Sequence, residues 1–165
     1  MKELISRRSL LLTGVAAGGV IAAGGTLAWL GAAASGLRVF TADEVEIVES
    51  IAAVLFPVGY FPVAGGDGRT APEVDRLLSE MVDPVTVAPF RYLLRALEWG
   101  TFVSRGQRFT QLDPVTAKEV VDVWASENPF PRRMAFTSVQ ALLGLAFFRR
   151  PEVAKAIGWR AGCFG

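Results

Sequence analysis

The stretch Met134-Ala135-Phe136-Thr137-Ser138-Val139-Gln140-Ala141-Leu142-Leu143-Gly144-Leu145-Ala146-Phe147-Phe148 runs for fifteen residues without a charge. As a helix it is too short to cross a bilayer, which takes about 20 residues. A helix that is apolar on all sides is normally buried. The run therefore reads as the central helix of a helical domain. Its borders agree: Asn128-Pro129-Phe130-Pro131 breaks the chain before it, and Pro151 opens a short last helix that Gly158 closes.

Working outward, the same helical period recurs upstream. Thr41-Ala42-Asp43-Glu44 has the form of a capping box, and Val48, Ile51, Ala52 and Leu55 follow it on one face. Pro57 stops that helix. Residues 57–71 form the longest loop, with four glycines and two prolines. A second helix is expected from Pro72, with Val74, Leu77, Leu78 and Met81 on one side. Pro89 suits the first turn of a third, with Phe90, Leu93, Leu94 and Leu97 inward and Arg91, Arg95 and Glu98 on a solvated or partner-facing side. Asp113-Pro114 caps a fourth, carrying Ala117, Val120, Val121 and Trp124 in register. No segment alternates with period two. The expectation is an all-α fold, a small irregular bundle of about five to six helices over residues 37–165.

Residues 1–36 differ in kind. They hold Lys2, Glu3, Arg7 and Arg8, and then no charge from Leu10 to Gly36. Ser6-Arg7-Arg8-Ser9-Leu10-Leu11-Leu12 resembles a twin-arginine (Tat) export signal, in which paired arginines precede an apolar run. Ala32-Ala33-Ala34 before Ser35 suits cleavage. Leu10–Gly31, about 33 Å long as a helix, also suits retention as a transmembrane anchor. Both fates are consistent with the sequence. The Tat route carries folded cargo, so the signal implies a chain that folds, or docks with a folded partner, before export.

Composition excludes much chemistry. Lys and Arg number 17 against 16 Asp and Glu, too even for phosphate-backbone binding, so nucleic acid is not an expected partner. There is no histidine, which removes the commonest general base and metal ligand, and one cysteine makes no zinc, iron–sulfur or CxxC site. A serine triad lacks its base and its GxSxG elbow. Gly65-Gly66-Asp67-Gly68 lacks the lysine of a phosphate loop and reads as a flexible loop. Asp43, Glu44, Glu46 and Glu49 read as acids placed by the dipole of the first helix. No catalytic, cofactor-binding or metal-binding residue is expected in this chain. Eleven Phe, three Trp and two Tyr after residue 35 exceed what one small core readily buries. Phe147, Phe148, Trp159 and Phe164 are the candidates for a partner interface.

The export signal, Phe40-Thr41-Ala42-Asp43-Glu44, Phe109-Thr110-Gln111-Leu112-Asp113-Pro114 and above all the stretch from Phe147 to Trp159 resemble the gluconate 2-dehydrogenase subunit 3 family. The resemblance covers about residues 38–165. It implies an accessory subunit, itself without a cofactor, of a membrane-associated dehydrogenase of the glucose–methanol–choline type. The large subunit there holds FAD and oxidises a sugar, sugar acid or polyol. A cytochrome c subunit often takes the electrons, and the small subunit supplies the signal read by the Tat translocase. The residues alone also suit an exported structural module of another envelope complex. Cys163, the only thiol, is either free or bonded to another chain, because export places it in an oxidising compartment.

Overall fold

The structure, a computed structural model, describes residues 31–126 and 130–159. The chain divides into two compact units, Met1–Gly31 and Ala32–Gly165, and the described residues after Gly31 belong to the second. Its described residues form six α-helices: α1 (Ala42–Leu55), α2 (Thr70–Met81), α3 (Pro84–Arg105), α4 (Pro114–Ala125), α5 (Phe130–Phe148) and α6 (Pro151–Ala156). A single 3-10 turn, Phe109–Gln111, joins α3 to α4. There is no strand among the described residues, only an isolated bridge between Val58 and Phe61. The fold is all-α.

Local chemistry sets most of the boundaries. The Thr41 hydroxyl accepts from the Glu44 amide at 3.3 Å and the Glu44 carboxylate from the Thr41 amide at 2.9 Å, a complete capping box. Asp113 accepts from the amides of Val115 and Thr116 at the head of α4, and Pro114 follows at N1. Three starts differ from expectation: α5 begins at Phe130, so Phe130-Pro131 opens that helix instead of belonging to the break before it, since proline is tolerated in a first turn. α2 begins at Thr70, so Pro72 lies within its first turn, where a missing N–H costs nothing. α3 begins at Pro84 under an Asp83 cap (Val85 amide at 2.9 Å), which puts Pro89 inside the helix instead of at its start. The Asp83-Pro84 pair is the same signal as Asp113-Pro114, one and a half turns before the apolar stripe that drew attention to Pro89.

The core gathers Phe40, Ile51, Leu77, Leu94, Phe136, Leu143 and Phe147, all buried. α5 touches every other helix, as expected of a central element. It is not covered on all sides, however: Met134, Thr137, Ser138, Ala141, Leu145 and Phe148 are exposed. Uniform apolarity hid a helix with one inner and one outer face. Met81 likewise ends its stripe in solvent at 67% exposure, because α2 stops there and nothing packs beyond it.

The glycine segment is a tied corner, which corrects the flexible-loop reading. Gly65 is buried, and a Cβ there would lie 2.2 Å from the Ala52 carbonyl oxygen; one on Gly66 would lie 2.7 Å from the Glu49 carbonyl oxygen. Only glycine lets the loop backbone lie against α1 at this distance. The Glu49 carboxylate accepts from the Gly68 and Ala71 amides at 3.0 and 2.6 Å, and the Thr70 hydroxyl donates to the Gly65 carbonyl. Arg150 donates to Asp67, to the Ala64 carbonyl and to the Thr70 hydroxyl, fastening the corner to the start of α6.

Candidate partner interface

Arg91 and Glu98 are buried and Arg95 nearly so, contrary to the solvated or partner-facing stripe expected of them. Glu44 is wholly buried. Its two oxygens accept from Arg91 Nε at 3.1 and 2.9 Å and from Arg95 Nε at 3.3 Å, while Arg95 Nη2 donates to the Thr41 hydroxyl at 3.1 Å. One carboxylate thus serves a helix cap and two guanidinium groups from α3. The helix dipole alone does not account for Glu44, and sequence spacing could not show it, since its partners lie 47 and 51 residues away.

Two more buried carboxylates act alike. Asp75 accepts from the amides of Arg38, Val39 and Phe40 at 2.8–2.9 Å, pinning the segment before α1 to α2. Glu98 accepts from the Thr110 amide at 3.1 Å and the Thr110 hydroxyl at 2.8 Å, pinning the 3-10 turn to α3. The hydrogen-bonding capacity of these acids goes into joining distant segments. Among the described residues, no three His, Cys, Asp or Glu side chains are grouped to hold a metal. None of the helices there is long and apolar enough to cross a membrane.

The expected aromatic cluster divides. Phe147 is fully buried, stacked on Phe56 (centroids 4.3 Å apart, planes 4° apart) and edge-on to Phe61, with the Arg150 guanidinium 5.0 Å from its ring. It belongs to the core, which corrects its assignment to an interface. Adjacent helical residues point about 100° apart, so Phe147 and Phe148 cannot both face inward. Phe148 takes the rim, edge-on to Phe56 and Phe61 but exposed on its outer side. Trp159 is 60% exposed.

Gly158 explains the position of Trp159. It follows α6 in the left-handed region (φ 71°), donating to the Lys155 carbonyl at 3.1 Å, while the Trp159 amide donates to the Ala154 carbonyl at 2.9 Å. This is a Schellman ending, and it turns the chain back beside α5. The result is an apolar groove of about 400 Å³. It is lined by Ala141, Gly144, Leu145, Phe148, Arg149, Ile157 and Trp159.

A larger concavity of about 510 Å³ lies between α1 and the 3-10 turn, lined mainly by Ala53, Val54, Pro57, Phe109, Leu112 and Ala117. It is apolar and brings no titratable cluster together. A further exposed patch on α3 contains Trp99, Phe102 and Val103, with Arg108 6.0 Å from the Trp99 ring. The remaining expected site residues, Arg7, Arg8, Cys163 and Phe164, and the apolar run up to residue 30 lie outside the described residues. No protein-family profile, curated protein or solved structure matches this chain.

Proposed function

We propose that this chain is a non-catalytic small subunit that escorts a folded FAD-dependent sugar or polyol dehydrogenase through the Tat pathway, then stabilises or anchors it. The observation that carries the reading is the aromatic groove at the end of α5, where Leu145, Phe148, Ile157 and Trp159 stand exposed around one hollow. Monomers seldom leave such a cluster in water, and aromatic side chains in a pocket are the usual anchors of protein association. The paired Arg7 and Arg8 supply the export route, and the lack of histidine suits a chain that leaves chemistry to its partner. The flavoprotein, and a cytochrome c subunit taking its electrons, follow from the resemblance to subunit 3 of gluconate 2-dehydrogenase.

Affinity purification of the tagged full chain from its own host tests the proposal. The expected result is a co-purifying large subunit with bound flavin, recognised by its absorbance spectrum and by mass spectrometry. A chain that repeatedly arrives without flavoprotein defeats the reading. Replacing Arg7 and Arg8 by lysine keeps the charge but removes the guanidinium fork. Export of chain and flavoprotein should then fail together, and continued export of both would show that the pair is no Tat signal. Non-reducing electrophoresis of the complex distinguishes a free Cys163 from a bonded one.

A further inference from the structure

We draw no further inference here: the strongest candidate, the apolar cleft of about 510 Å³ between α1, the 3-10 turn and the start of α4, carries none, because its one charged lining residue, Lys118, is already paired with Asp122 and nothing in the structure shows what fills it.

Discussion

Glu44 and Gly65 show how much of this fold hangs on single atoms. Glu44→Gln keeps shape and some hydrogen bonding but leaves the Arg91 and Arg95 guanidinium groups without their shared buried counter-charge. Breaking a buried pair from one side costs about 3–5 kcal/mol, and a loss of that order is expected in urea unfolding. A change under about 1 kcal/mol would mean that water reaches the site. Gly65→Ala is expected to destabilise by about 1–3 kcal/mol, since its Cβ would meet backbone that cannot step aside. Gly100→Ala is the contrasting case. Gly100 sits within α3, and its nearest obstacle, a Trp124 ring carbon, is 3.9 Å from the added Cβ. A gain of about 0.5–1 kcal/mol is expected there, so the two glycines should respond with opposite sign.

The helices carry two predictions about their backbones. Pro89 lies six residues into α3, where it offers no N–H to the Val85 carbonyl. Pro89→Ala should restore that bond and raise stability by about 1–3 kcal/mol, measured as a shift of the thermal midpoint. A destabilised variant would show that the proline is needed for the packing of α3. Gly158 ends α6 at positive φ, and Gly158→Ala should cost about 1–2 kcal/mol. It should also release Trp159 from the groove wall, seen as a red-shifted tryptophan fluorescence. Unchanged emission would sever the link drawn between the helix ending and the groove.

Acid stability is a property of the whole molecule. Burial pushes the Asp67 carboxyl up, but hydrogen bonds from the Arg69 side chain and amide, with the charge of Arg150, hold it below its ordinary value of 3.8. Hydrogen bonds from Arg76 lower Glu73, and bonds from the Thr116 hydroxyl and amide lower Asp113. The backbone amide of Glu152 lowers its own carboxyl, assisted by Arg69. Each of these groups has a folded pKa beneath its unfolded one. The stability they supply is complete above the ordinary carboxylate values, 3.8 and 4.5, and is lost as the pH falls through the lowered folded values. The chain has no histidine, the side chain whose ordinary pKa lies nearest neutrality. The thermal midpoint should stay level from about pH 5.5 to 8 and drop below about pH 4. A step near pH 6.5 would contradict this account.

The all-α class, the Thr41 and Asp113 caps, the Gly158 ending and most of the buried stripes were legible in the sequence, because each depends on contacts within one or two helical turns. The sequence singled out Phe147, Phe148 and Trp159 together, and only the packing buried the first and left the other two exposed. What tertiary structure alone decided is where the charges and the uncharged run went. Arg91, Arg95 and Glu98 look like a polar helix side until α1 and the 3-10 turn arrive to cover them. Gly65 looks like slack until α1 lies against it. The fifteen uncharged residues read alike from every side, so period alone could not say which face of α5 the bundle would bury. A pattern of residues fixes the local backbone, where partners are a turn apart. It cannot identify a partner 47 or 51 positions away, because that pairing exists only once the helices have packed.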